Sequence, residues 1–399
     1  MDPKRVIFYS MIICYSGFGV INPLLAPLIR EVGLDERHAG WMVSIAALVL
    51  LVAAPVWGRL SDRHGRKNII LIGFLGFSFS LALFASISWI GMEQRINVTI
   101  IFLLLMLSRI LFGFFFPAMI SSSQALMADL TDIQERSAGM GMIGAATGIG
   151  FIMGPAMGAI LSGVHLVFPI FISSVLALLA MFFVYKKIPK LKPNIRDKKT
   201  KIDFRRAGLR PYLIVCISVM SIFMTLQIVG GFYVQDTFGL STTETAIWLG
   251  VCLFIVGFMM ALVQMTFVQK RQFMPLTLLR IGLPLFIIGL LSLIFINHLA
   301  GFAFAYMAIG AGSGFVIPGY TAGISIAAGK EAQGEAGGLT AAASGIASLI
   351  VPIASTSLYR MEALLPFYIG AVIIVLLLLY VWSGHKGLIL EEIELQAVK

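Results

Sequence analysis

The chain of 399 residues is 59% hydrophobic and only 12% charged, with a mean hydropathy of +0.96. Soluble domains carry about 25% charged residues, so a water-soluble globule is excluded and a polytopic membrane protein remains. The net charge of +10 would suggest nucleic acid in a soluble protein, but here the cations cluster between apolar runs and no nucleic-acid partner is expected.

Twelve apolar runs, each long enough to cross a bilayer, fall at roughly 6–29, 38–58, 68–90, 98–127, 137–161, 166–185, 211–234, 243–268, 275–296, 299–326, 337–359 and 364–384. The first run is too long for a signal-peptide core and has no clear small-residue cleavage site, so it reads as a retained helix. It carries Gly19, Asn22, Pro23 and Pro27. Asn22 either faces a polar cavity or satisfies carbonyls that Pro23 frees.

Between the second and third runs lies Gly58-Arg59-Leu60-Ser61-Asp62-Arg63-His64-Gly65-Arg66-Lys67, a tight hairpin with one carboxylate and four fixed cations. Gly58 and Gly65 stand where one helix is expected to end and the next to restart, which needs backbone angles or close approach that glycine gives cheaply. The spacing G-x-L-S-D-R-x-G-R-K resembles the loop between helices 2 and 3 of the major facilitator superfamily, especially its twelve-helix drug:proton antiporters of the tetracycline and multidrug efflux type. That resemblance implies an all-α membrane fold of twelve transmembrane helices, arranged as two six-helix bundles related by a pseudo-two-fold axis. It also implies that Asp62, Arg66 and Asp129 form a cytoplasmic charge relay, with Gly58, Arg63 and Gly65 in the same gating hairpin. The relay latches the ends of helices 2 to 4 and breaks as the halves rock. The opening run, Gly19-x-x-x-Pro23-x-x-x-Pro27, is similar to the same family's beginning.

The fourth run holds Arg109 about eleven residues from its start, close to mid-membrane at 1.5 Å per residue. A lone cation there costs at least about 2.5 to 3.5 kcal/mol, so it should face a wet cavity or a polar partner rather than lipid. Gly113, Phe116, Ile120 and Ser123 share its face and Gln124 lies beside them. By the same resemblance an arginine followed four residues later by glycine lies near substrate and proton sites; the alternative is that Arg109 caps carbonyls of a neighbouring helix. In the fifth run Gly150, Gly154 and Gly158 line one face and Pro155 bends the rod, a helix-packing hinge. This resembles the antiporter signature G-x-x-x-G-P-x-x-G, with Ala159 where a second tandem glycine is common.

Eleven cations lie between Lys186 and Arg210, against only Asp197 and Asp203. This basic linker divides an N-terminal bundle, 1–185, from a C-terminal bundle, 211–385, which a short tail, 386–399, follows. A parallel repeat links the halves: Gly113-Phe114-Phe115-Phe116-Pro117 answers Gly314-Phe315-Val316-Ile317-Pro318, and Pro155 answers Pro352. The second half has cations at 270 and 271 but lacks the hairpin's carboxylate and glycine. In the seventh run, Gln227 stands nine residues before Asp236, where some multidrug members carry a glutamate. The usual carboxylate for proton coupling is thus missing.

With the N-terminus inside, cytoplasmic segments hold 24 lysines and arginines and the opposite side holds four. Both termini are therefore expected in the cytoplasm. No carboxylate falls at the midplane. The histidines show no metal spacing, the cysteines fall inside apolar runs, the methionines read as adaptable packing, and no phosphate-binding glycine loop occurs. No metal, cofactor or enzymatic constellation is expected. The sequence reads as a monomeric secondary exporter of small amphipathic molecules in a bacterial inner (cytoplasmic) membrane, with lipid, substrate and protons as partners. Its cavity is lined by Asn22, Arg109, Gln124, Gln227 and Gln264. A positive, carboxylate-free core favours anionic, zwitterionic or neutral amphiphiles. The rival readings are a uniporter, an importer of organic anions or siderophore-like carboxylates, and a non-transporting receptor or scaffold.

Overall fold

A computed structural model describes residues 2–93, 96–131, 136–189, 209–271, 273–295, 298–329 and 333–383, and over these it is all-helical. The helices are α1 (Pro3–Gly19), α2 (Ile21–Glu31), α3 (Glu36–His64), α4 (Arg66–Met92), α5 (Val98–Asp129), α6 (Arg136–Ser162), α7 (Phe168–Lys187), α8 (Leu209–Phe238), α9 (Thr242–Val263), α10 (Pro275–Phe295), α11 (Leu299–Ala328), α12 (Gln333–Met361) and α13 (Leu365–Trp382). Counting α1 and α2 as one span, twelve have the length and hydropathy to cross a membrane. Most of the basic linker, Lys330 and the tail lie outside the described residues.

Local chemistry sets several starts. Asp35 caps α3 through the amides of Arg37 and His38, in a reciprocal box with the His38 ring. Asn97 caps α5 through the amide of Thr99, 2.8 Å away. The first span is interrupted at Val20, and Pro23 has no N–H to give the Gly19 carbonyl. A five-residue π turn, Gln264–Val268, prolongs α9.

The hairpin corrects one expectation. The second helix does not end at Gly58 but runs to His64, and Gly65, with φ of +91°, is the only non-helical residue before α4 begins at Arg66. A methyl group placed on Gly58 would meet nothing within 4 Å, so neither backbone angle nor close approach explains that glycine. Hydropathy falls at residue 58 because Arg59, Asp62, Arg63 and His64 follow on the same helix, not because the helix ends.

Two compact units emerge: Met1–Asp197 with Ile228–Phe254, and Lys198–Gln227 with Ile255–Lys399. In the first, α4 packs on α5 and α7, α3 on α5, and α1 on α6. Ser78 of α4 and Ser174 of α7 each donate to the other's backbone carbonyl, at 2.8 and 2.9 Å. In the second, α10 packs on α11 and α13, and the Tyr306 hydroxyl donates to the Leu226 carbonyl at 2.9 Å.

The internal echo has a packing counterpart inside each unit. Gly113 of the fourth span lets the Ala46 carbonyl of the second approach so closely that a methyl group would overlap it. Gly314 of the tenth span does the same with the eighth, where a methyl would lie 2.7 Å from Val263 Cβ and 3.0 Å from the Met260 carbonyl. Ile160, Val164, Leu376 and Leu379 stay exposed, an apolar surface suited to lipid.

Candidate functional site

At the end of the first unit that carries Gly65, Arg66 bridges two carboxylates. Its Nη1 pairs with Asp62, its Nε with Asp129 Oδ2 at 3.2 Å, and Nη1 also donates to Ser61 Oγ at 3.3 Å. Every member sits at the wrong helix end. Arg66 is the first residue of α4, where the macrodipole is positive, while Asp62 and Asp129 close α3 and α5, where it is negative. Each placement costs a few tenths of a kcal/mol to about 1, and pairing offsets that cost. The side chains are 15%, 39% and 21% exposed for Arg66, Asp62 and Asp129, so the net stabilisation is about 1 kcal/mol or less. A contact so lightly held can open and close. Arg63 is exposed and takes no part in it. Lys67 instead caps α7: its ammonium donates to the carbonyls of Tyr185 and Ile188 at 2.7 and 2.6 Å.

The fifth-span glycines face the first span. A methyl on Gly150 would lie 2.9 Å from the Ile12 carbonyl, one on Gly154 2.7 Å from the Ser16 carbonyl, and one on Gly158 2.8 Å from Pro23 Cγ. Backbone meets backbone along this seam, next to Pro155. The other half of α6 is bare: nothing lies within 4 Å of a methyl on Gly141, Gly144 or Gly148.

Arg109 is 6% exposed on α5. Its guanidinium carbon lies 4.5 Å from the Phe84 ring centroid and 5.6 Å from that of Phe112. No carbonyl or carboxylate among the described residues hydrogen-bonds it, and Nε is sealed and unpartnered. The carbonyl-capping alternative therefore has no support in the geometry. The polar companions share this condition. Asn22 and Gln124 in the first unit, and Gln227 and Gln264 in the second, form no side-chain hydrogen bond among the described residues, although Gln227 is only 7% exposed.

At the far end of the first unit, α2 meets α8 and α9. Arg30 grips Asp236 with both terminal nitrogens, Nη2 to Oδ2 at 2.7 Å, and also reaches Glu36 at 2.8 Å and Gln235 at 3.2 Å. Its carbon lies 5.1 Å from the Phe232 ring, and the Thr242 hydroxyl donates to Glu31 at 2.5 Å.

Residues 7–352 match the sequence profile of the Major Facilitator Superfamily. The chain belongs to that superfamily. It is 29% identical over 378 residues to Multidrug resistance protein 1 of Bacillus subtilis, covering 92% of each chain. It is 25% identical over 400 residues to the Quinolone resistance protein NorA of Staphylococcus aureus (strain COL), covering 97% of this chain and 98% of the other. Its fold superposes on the nucleoside transporter NupG with a TM-score of 0.75 at 13% identity, over 96% of this chain and 99% of that one. The human organic anion transporter MFSD10 gives 0.66 at 19% identity, over 96% and 100%. The protein is thus a multi-pass membrane transporter of this superfamily.

Sequence reading did not find the Arg30 cluster of this superfamily member, nor Phe84 beside Arg109. A signal existed for the cluster: Arg30 and Asp236 each end an apolar run on the same side of the charge map. No signal pointed to Phe84, one of 30 phenylalanines.

Proposed function

We propose that this transporter is a proton-coupled secondary exporter of small amphipathic molecules in a bacterial inner membrane. It has both termini in the cytoplasm and works as a monomer by alternating access between its two six-helix halves. The observation that carries the reading is the set of five polar side chains on membrane spans, Asn22, Arg109, Gln124, Gln227 and Gln264, that form no hydrogen bond among the described residues. Arg109 and Gln227 are buried, where polar groups are ordinarily paired, and the other three are half-buried. A set left open on several spans suits a path that water and substrate occupy in turn. Two relatives matched over nearly their whole length, a multidrug resistance protein and a quinolone resistance protein, support drug export.

On this reading the relay at Asp62, Arg66 and Asp129 is a cytoplasmic latch, and the bare glycines of α6 face the inner path. The seam at Gly150, Gly154, Pro155 and Gly158 is the hinge that keeps α1 and α6 moving as one. Asp62→Asn removes one of two carboxylates around Arg66. Turnover in everted vesicles is expected to fall severalfold, while the melting midpoint changes by no more than about 1 kcal/mol equivalent. Unchanged flux would remove the relay from the mechanism.

The energy source is tested in the same vesicles. Energised everted membranes should accumulate a transported drug, and collapse of the pH gradient with nigericin should stop it. Accumulation indifferent to nigericin would replace proton coupling by another source or by uniport. Flux from the opposite direction would make the protein an importer.

A further inference from the structure

We infer that the exposed face of α7, with the end of α4 beside it, is a fixed phospholipid site. It seats one acyl chain of a diacyl phospholipid and holds the lipid's ester or phosphate oxygens on the ring N–H groups of Trp89 and His165. The inference does not depend on the transport reading.

Four observations lead to it. First, an apolar groove of about 460 Å³ runs over the opening turns of α7, lined by Phe168, Phe171, Ile172, Val175 and Leu176, with Trp89 of α4 as its remaining wall. Residues 168 to 176 span about 12 Å of helix. The groove is preformed, because α4 and α7 are joined by the mutual bonds of Ser78 and Ser174, which are buried. Secondly, Trp89 stands about 34 Å along α4 from Arg66, the full thickness of a hydrocarbon core. It therefore lies at the membrane face opposite the relay, at the level where tryptophan rings meet lipid headgroups. Thirdly, the His165 ring stacks on Trp89 at 4.4 Å with the planes 10° apart. Its Nδ1 accepts from the Val167 amide at 3.3 Å, which puts the proton of the neutral ring on Nε2. Neither that N–H nor the Trp89 indole N–H has an acceptor among the described residues, although Trp89 is exposed and His165 half-buried. Fourthly, Glu93, exposed one turn beyond Trp89, gives an anionic headgroup no attraction.

The layout is a greasy trough with two donors at one end only, and that is the polarity of a phospholipid. Its chain is hydrocarbon along the trough, and its acceptors begin where the chain stops, at the headgroup level. An apolar helix from a second copy of this chain would fill the trough but leave both N–H groups facing hydrocarbon, which costs free energy. A free phosphate would satisfy the donors and leave the trough empty. Because ester and phosphate oxygens are common to all diacyl phospholipids, the site reads the lipid's backbone rather than its headgroup.

The test is photo-cross-linking of the full-length protein in phosphatidylcholine vesicles that contain a small share of phosphatidylcholine with a mid-chain diazirine, mapped by peptide mass spectrometry. Ile100, Leu103 and Leu107 are exposed on the opening turns of α5, at the same membrane face, and report ordinary boundary lipid. Cross-links on residues 168–176 should exceed those on 100–107 severalfold. Trp89→Phe, which keeps a ring and removes the N–H, should lower that excess about twofold to tenfold, the range for one neutral hydrogen bond. Val175→Trp, at an exposed groove position, should fill the trough and abolish the excess. Equal labelling of the two segments in wild type overturns the site, as does an excess that survives either substitution. Labelling of 168–176 below that of 100–107 also overturns it and assigns the face to a second copy of the chain. If Trp89→Phe does not yield folded protein, the wild-type ratio and Val175→Trp decide.

Discussion

Replacing Gly154 by valine is expected to lower the melting midpoint of the purified protein and to abolish transport, whereas the same change at Gly148, on the same helix, is expected to leave the fold intact. The physical difference is what lies opposite. A methyl on Gly154 would come within 2.7 Å of the Ser16 carbonyl and 2.9 Å of Gly19 Cα, all backbone, which cannot rotate away as a side chain would. The helices must separate, at a cost of about 1 to 3 kcal/mol or more for an overpacked site. A methyl on Gly148 meets nothing within 4 Å, so valine there changes only helix propensity, by under about 1 kcal/mol and in the favourable direction. Thermal unfolding of the two variants side by side checks the claim. A Gly154→Val protein as stable and active as wild type would show that the seam is not a tight contact.

That seam was legible because glycines every four residues must share a helix face, whatever the tertiary fold. The number of spans was legible for a similar reason: bilayer thickness imposes a length, and each run met it. Helix ends were less so. Hydropathy reports where apolar side chains stop, and α3 continues six residues beyond Gly58 with Arg59, Asp62, Arg63 and His64 on its surface. The π turn at Gln264–Val268 leaves no periodic mark in so short a stretch.

The candidate site divides along the same line. That Arg109 is buried follows from its position in a greasy run, and so does the absence of a carboxylate beside it. Which rings receive it depends on how α4 turns against α5, a packing outcome that Phe84 does not announce in sequence. The Lys67 bridge to Tyr185 and Ile188 likewise joins residues more than a hundred positions apart, and a hairpin read by itself could not disclose its partner.

The Arg30 cluster carries the other large expectation. Substituting Arg30 by glutamine is expected to accelerate labelling of an Ala26→Cys reporter by a membrane-impermeant maleimide applied from outside. Ala26 is 2% exposed, and its methyl lies so near Gly231 that a Cβ there would sit 2.6 Å away, so the site reacts only when α2 and α8 part. Arg30 holds them by gripping Asp236 while also binding Glu36. Removing the guanidinium breaks those bonds and leaves Asp236, Glu36 and nearby Glu31 as a group of like charges. With Arg30 23% and Asp236 45% exposed, solvent screens the pair to about 1 kcal/mol, which corresponds to roughly fivefold in an opening equilibrium. The same proteins without the reporter, in which Cys14, Cys216 and Cys252 are the only thiols, give the background rate to subtract. Asp236→Asn should act in the same direction and more weakly, since Glu36 still holds Arg30. Exchanging the two charges, Arg30→Asp with Asp236→Arg, should restore slow labelling if attraction between the ends is the cause. Labelling at the wild-type rate in both single variants would mean that close packing at Gly231, and not the ion pair, keeps these ends together.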